Sequence, residues 1–204
     1  MSTASLQRFS GFFLIVAPII GVFSAFASFF TDTSLDAPAS NFQETSWIVY
    51  NSLLFLGGGL LTFGLPAFYI KHLSGSHAKL SLIGTFLYAL SLLLALPMAG
   101  FLISILPYLA DTAPDAIHDS FGTNIAIFPL SSFLLQLIGS ILICIAITRS
   151  KTSPSYVGIL LLLAAVLNVC GIAATGVTSS IISLLSWIFI AISFGSVGAK
   201  FMKS

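Results

Sequence analysis

Six apolar runs, each about as long as a bilayer is thick, constrain this chain more than any other feature. They cover Phe9–Phe30, Trp47–Ile70, Leu80–Leu106, Asn124–Ile147, Tyr156–Thr175 and Thr178–Ala199. A hydrocarbon core about 30 Å thick is crossed by about 20 apolar residues in helical form. Backbone polar groups find no water there, so each run must satisfy its own hydrogen bonds as a helix. The runs are too long and too continuous for barrel strands of about ten alternating residues. The predicted fold is therefore all-α, a single membrane domain over residues 1–204 with six transmembrane helices. Composition enters as a test of the alternatives. Charged residues make up 6% of the chain, against roughly a quarter in soluble domains, too few to coat a water-soluble monomer. The 57% hydrophobic content excludes a disordered chain. A net charge of +1 supplies no basic patch, so no nucleic-acid partner is expected.

The charges between the runs set an orientation. Arg8, Lys71, Lys79, Arg149, Lys151, Lys200 and Lys203 all fall in one set of connecting segments, and Asp32, Asp36, Glu44, Asp111, Asp115 and Asp119 all fall in the other. By the positive-inside rule the basic set lies in the cytoplasm, with both termini. One more or one fewer span would scatter these charges over both sides. A signal-peptide reading of the first run competes, on Arg8 and the small-residue triplet Ala25-Phe26-Ala27. The run exceeds the usual length of a signal core and is read as a retained span.

Lipid-solvated helices associate through small residues that let backbones approach. Ala17, Gly21 and Ala25 form such a stripe on the first span, and Ala191, Gly195 and Ala199 on the last. Each is a candidate seam, either with the other or with a second protomer. Gly57, Gly58 and Gly59 in the second span give up about 1 kcal/mol of helix propensity each. A close helix crossing is the favoured reason, with a bend or a ligand lying on bare backbone as alternatives. Pro18 and Pro97 are expected to bend spans one and three, and Gly176 to cap span five. Gly11, Gly84 and Gly158 recur near the inner ends of the odd spans, and Gly11/Gly158, Leu14/Leu161, Ala17/Ala164, Val22/Val169 and Ala27/Ala174 match at one offset, as tandem helical hairpins would.

No Asp, Glu, Lys, Arg or His lies inside a span, which argues against a proton-coupled pump. The intramembrane polar residues are mild: Asn51 and Ser52, Gln136 and Ser140, and Asn168. The amides of Gln136 and Asn168 lie nearest the midplane and are expected to hydrogen-bond each other. The one group of catalytic residue types is Asp115, His118 and Asp119, which share a face if a short helix follows Pro114. A lone His makes an incomplete metal set, and helix capping and solvation of an outer loop explain these acids more simply. No catalytic residue, metal or cofactor is expected. Cys144 and Cys170 lie at different depths, beyond disulfide reach. Trp47, Tyr50, Tyr108 and Tyr156 are expected in the interfacial belts. Trp187 lies deeper and needs a partner for its indole N–H, for which the serines of the last span are candidates.

The segments Arg8–Ile15, Gly57–Tyr69, Lys79–Gly84 and Gly158–Leu163 together give the chain a likeness covering most of its length. On them it resembles a class of uncharacterised bacterial multi-pass membrane proteins, of the domain-of-unknown-function kind. The resemblance implies an inner-membrane protein of about six helices and carries over no activity or site residue. The expected function is non-enzymatic: binding of lipid, an apolar solute or a partner membrane protein, with the bilayer and a second copy of the chain as further partners. The alternatives are a small carrier or channel for a neutral substrate lined by Asn51, Gln136 and Asn168, and an outer-face metal-dependent hydrolase on Asp115, His118 and Asp119.

Overall fold

The computed structural model describes residues 3–34, 37–72, 77–115, 117, 123–151 and 153–202. The apolar runs form helices α1 (Thr3–Ala27), α2 (Thr45–His72), α3 (Ala78–Thr112), α4 (Thr123–Ser150), α5 (Ser155–Gly171) and α6 (Gly176–Met202). Short 3-10 turns at Ser28–Phe30 and Ala39–Gln43 join α1 to α2, and no strand occurs among the described residues. Five of these helices, all but α5, are long and apolar enough to cross a membrane, and the chain is an all-α, multi-pass membrane protein.

Several boundaries differ from the sequence reading, α1 beginning at Thr3 instead of Phe9 among them, and two bear on the interior of the bundle. Helix α5 ends at Gly171, four residues before the expected Thr175, and spans roughly 26 Å at 1.5 Å per residue. Past it the backbone tightens into three-residue turns, with N–H of Ile172, Ala173 and Ala174 donating to the carbonyls of Val169, Cys170 and Gly171 at 3.2, 3.3 and 3.2 Å. Gly176 takes a left-handed φ of +57°, and it opens α6 rather than capping α5. Helix α3 continues six residues past Leu106, through Pro107 to Thr112, where the Ala113 N–H closes it on the Leu109 carbonyl at 2.8 Å. Its roughly 52 Å exceed the hydrocarbon thickness. The projecting end carries a small apolar cap of Ala37, Phe42, Trp47, Leu106, Ala110 and Ile117.

Each helix packs against its neighbours in sequence, and α1 packs against α6, so the six close into a ring. Neighbours are antiparallel, since partner numbers run in opposite directions along every seam. Gly84 faces Gly139 and Ile143, and Ser91 meets Ser132. Gly57 lies on Ala17 and Gly21, while Gly64 lies on Leu14. This up-and-down order puts the described basic residues Arg8, Lys79, Arg149, Lys151 and Lys200 at one end of the ring and Asp32, Glu44, Asp111 and Asp115 at the other.

Backbone proximity and serine hydroxyls hold the seams. A Cβ on Gly84 would sit 2.9 Å from the Gly139 carbonyl oxygen, and one on Gly139 would sit 2.8 Å from that of Gly84. Between α1 and α6 the seam runs through Gly11 and Gly198. A Cβ on Gly21 would fall inside the Trp187 indole, so the α1 stripe of Ala17, Gly21 and Ala25 faces α2 and α6. Ala17 and Ala25 are both buried. The α6 stripe does otherwise: Gly195 has nothing within 4 Å, and Ala191 and Ala199 are only half-buried. The tight face of α6 is the one that carries Ile190, Phe194, Val197 and Gly198, because a residue one position from Ala199 points about 100° away on a helix. Serine Oγ atoms of α6 donate to carbonyls on neighbouring elements, Ser180 to Ser28 at 3.1 Å, Ser186 to Ala164 at 3.2 Å and Ser193 to Val157 at 3.1 Å. On the opposite faces Phe23, Phe63, Phe86, Leu93, Ile127 and Val177 are among the large exposed apolar side chains, the surface a bilayer solvates and water does not.

Gly139→Leu is expected to destabilise the bundle by about 1–3 kcal/mol or more through overpacking against backbone. Gly195→Ala, which meets open space, is expected to be neutral or stabilising by up to about 1 kcal/mol. Unfolding of the two variants in detergent checks the contrast, and equal losses would refute the seam assignment.

Candidate functional site

The ring does not fill its own centre. In the half nearer the acidic end lies a partly open cavity of about 380 Å³, within the size range of small-molecule sites. Its wall draws on five helices. Trp47 to Leu61 of α2 and Tyr88 to Leu102 of α3 face Pro129 to Gln136 of α4, Asn168 and Gly171 of α5, and Ser179 to Ile190 of α6. The wall is largely apolar, and the polar groups among its described residues are uncharged.

Three of them form a chain across α3, α4 and α5. Asn168 Nδ2 donates to Gln136 Oε1 at 2.9 Å, and Gln136 Nε2 donates to the Tyr88 hydroxyl at 3.3 Å. Helical geometry places them: Ser132, Gln136 and Ser140 repeat every four residues on one face of α4. Tyr88 and Ser91 lie on the facing side of α3, where Ser132 Oγ donates to the Ser91 carbonyl at 2.8 Å. Gln136 and Tyr88 are buried, so their mutual bond offsets a desolvation cost that an unpaired polar group would carry in full.

Asn51 stands apart from this chain. It borders the same cavity from α2 and is completely buried. Its Nδ2 donates to the Trp47 carbonyl one turn back at 3.0 Å, while its Oδ1 has no hydrogen-bond partner. The glycine triplet six residues on divides its tasks. Gly57 allows α1 to approach, its would-be Cβ 3.2 Å from the Ala17 carbonyl oxygen and the Gly21 nitrogen. Gly58 lines the cavity, and the Gly59 carbonyl accepts from Thr62 Oγ1 at 2.6 Å. Close crossing and bare backbone in a cavity wall both hold, one residue apart.

Towards the basic end the cavity wall includes Tyr88, which is backed by an aromatic floor. Phe194 stacks edge-on against Phe68 at 4.9 Å and against Tyr88 at 5.5 Å between ring centroids. Below it the buried cluster of Leu14, Leu65, Ile143, Ile147, Val157, Leu161 and Val197 fills the ring.

Several residues sit elsewhere than the sequence indicates. Trp47 is not a belt residue: it is 1% exposed, stacks on Phe42 at 4.9 Å and donates Nε1–H to the Leu102 carbonyl at 3.0 Å. The projecting end of α3 covers it. Tyr50 is half-buried on the cavity wall, whereas Tyr108 and Tyr156 are exposed. Ser180, Ser186 and Ser193 bond backbone carbonyls instead of the Trp187 indole, which lines the cavity. Among the catalytic-type residues Asp115 is exposed, and His118 and Asp119 lie outside the described residues. No group of three potential metal ligands occurs among the described residues. Tyr88 was missed by sequence reasoning, although the i, i+4 polar repeat on α4 and the spacing of Ser81, Tyr88 and Ser91 on α3 were available signals.

No family model matches the chain, and comparison with curated proteins and with solved structures finds no match.

A double-mutant cycle on Gln136→Leu and Asn168→Leu is expected to give a coupling of about 1 kcal/mol in detergent unfolding, within the range for interhelical bonds in membranes. Additive losses would show that the two amides do not support each other.

Proposed function

We propose that this protein binds an apolar or weakly polar small molecule, such as a lipid or an apolar solute, in the cavity at the centre of its helical ring. The cavity itself carries the reading: about 380 Å³ enclosed by greasy walls, with a handful of uncharged hydrogen-bonding groups. Such a lining favours ligands that lose little on leaving water and selects among them by a few placed polar contacts. The described lining residues offer no charged group to meet an ionic ligand, whose desolvation would go uncompensated. The floor of Phe68, Tyr88 and Phe194 makes the cavity single-ended, as suits a binding site more than an open pore.

A second reading, a carrier for a neutral solute, is favoured by one observation: the cavity touches Asn51, Gln136 and Asn168 together. A carrier would have to displace the aromatic floor during its cycle. Solute flux into proteoliposomes separates the two, since a binding protein takes up ligand stoichiometrically and a carrier accumulates it with time.

In this reading the basic end of the ring faces the cytoplasm of a bacterial cell, with the protein in the inner membrane. The positive-inside rule and the resemblance to bacterial multi-pass proteins support that placement. With Cys144 and Cys170 replaced, a cysteine introduced beside Arg149 should resist an impermeant thiol reagent applied to intact cells, and one beside Asp111 should react. The reverse pattern would invert the orientation.

Both tryptophans of the chain, Trp47 and Trp187, line the cavity, so intrinsic fluorescence reports its occupancy. Gly58→Leu, which places a side chain into the cavity space, is expected to weaken binding of a bromoalkane quencher at least tenfold. Unchanged quenching in that variant would refute the cavity as the binding site.

A further inference from the structure

We infer that the ligand of this cavity is a neutral amphiphile with one hydrogen-bond donor, of the long-chain alcohol kind, whose hydroxyl is held by Asn51 Oδ1. The inference rests on the cavity being the binding site and names what that site selects. Asn51 is fully buried, and its Nδ2 is committed to the Trp47 carbonyl at 3.0 Å. That bond fixes the side-chain amide and leaves Oδ1 as a buried acceptor without a donor. Native proteins keep such atoms rarely, because each costs the desolvation of the group. Thr85 Oγ1 and Ser140 Oγ share this condition, but neither residue borders the cavity. Among the described residues, only Asn51 combines a buried acceptor without a partner with a place on the cavity wall.

The chemistry of the occupant follows from the mismatch. An acceptor calls for a donor, which excludes a pure hydrocarbon, an ester or an ether as the best ligand. A carboxylate would set negative charge against the lone pairs of Oδ1. An ammonium would bring a charge that no acid among the described lining residues compensates. A neutral donor remains, of which a hydroxyl is the simplest: it donates one hydrogen bond, and the apolar wall receives its chain.

The test uses three brominated quenchers of similar chain length with the full-length protein in detergent: 12-bromododecan-1-ol, its methyl ether and 1-bromododecane. Quenching of Trp47 and Trp187 reads binding. The wild type should bind the alcohol roughly 3–10-fold more tightly than the ether, as one net hydrogen bond provides. In Asn51→Leu, which keeps side-chain volume and removes the unpaired acceptor, that preference should vanish while binding of the bromoalkane persists. Equal affinity for alcohol and ether in the wild type, or a preference that survives in Asn51→Leu, would assign Oδ1 to a trapped water and overturn the inference with the cavity intact. Quenching by all three that is no stronger in the wild type than in Gly58→Leu would overturn the cavity reading itself. Asn51→Ser, which retains a polar atom of shorter reach, should give an intermediate preference and guards against a folding defect in the leucine variant.

Discussion

Inside a bilayer, hydrocarbon solvates a leucine as well as another helix does, so burial of apolar surface does little to hold one helix to the next. Close backbone approach and hydrogen bonds to carbonyls must do it, and the whole architecture depends on where the chain can supply them. Glycine faces glycine at Gly84 and Gly139 and at Gly11 and Gly198. Serine hydroxyls reach across to Ala164, Val157, Ser28 and Ser91 carbonyls. These contacts lie along helix edges that face sequence neighbours, and they join the helices side to side in a ring. Such a ring leaves its centre to be filled by side chains alone. Near the basic end Phe68, Phe194, Leu65 and Phe201 fill it. Near the acidic end the large side chains Trp47, Tyr50, Phe55, Phe133 and Trp187 line the wall without closing the centre, and the cavity results.

The short fifth helix accounts for much of that difference. Positions shared by α1 and α5 at one constant offset include Leu14 and Leu161, and Ala17 and Ala164, all of them buried. The two helices therefore play corresponding parts in the basic half of the ring. Beyond it they diverge. Helix α1 runs on to Ala27, with Gly21 under the Trp187 indole, while α5 ends at Gly171 in tight turns that border the cavity. Helix α1 thus packs closely on both neighbours without bordering the cavity, while α5 stops short at its edge. Removing α1 would unseat both α2 and α6, which makes it a structural member of the ring.

The helices and the separation of charge by end were legible in the sequence because each rests on a cost paid locally. Apolar length and the exclusion of charge from hydrocarbon act residue by residue. The value of Gly57 was legible for the same reason, since a glycine triplet in mid-helix loses propensity wherever it stands. The α6 seam was not. Ala191, Gly195 and Ala199 make as regular a stripe as Ala17, Gly21 and Ala25, and only the partner helix decides which stripe is used. The belt position assigned to Trp47 failed for a related reason: its depth fits an interface, but the end of α3, carried past Pro107, covers it. The cavity was beyond sequence reading altogether, because an unfilled volume belongs to several helices jointly.

The polar groups of the interior divide along the same boundary. Gln136, Asn168 and Tyr88 satisfy one another across three helices, and a bond of this kind is worth having whether or not a ligand is present. Its location at the cavity floor is then a consequence of where α3, α4 and α5 meet. Asn51 is different in kind. It bonds only within its own helix, joins no two elements, and leaves its one acceptor atom without a donor, so structural glue does not explain an amide at that place. A leucine there would pack as well and carry no desolvation cost. A polar residue that the fold does not need, set in the wall of a space that the fold does not fill, gains its reason from what enters the space.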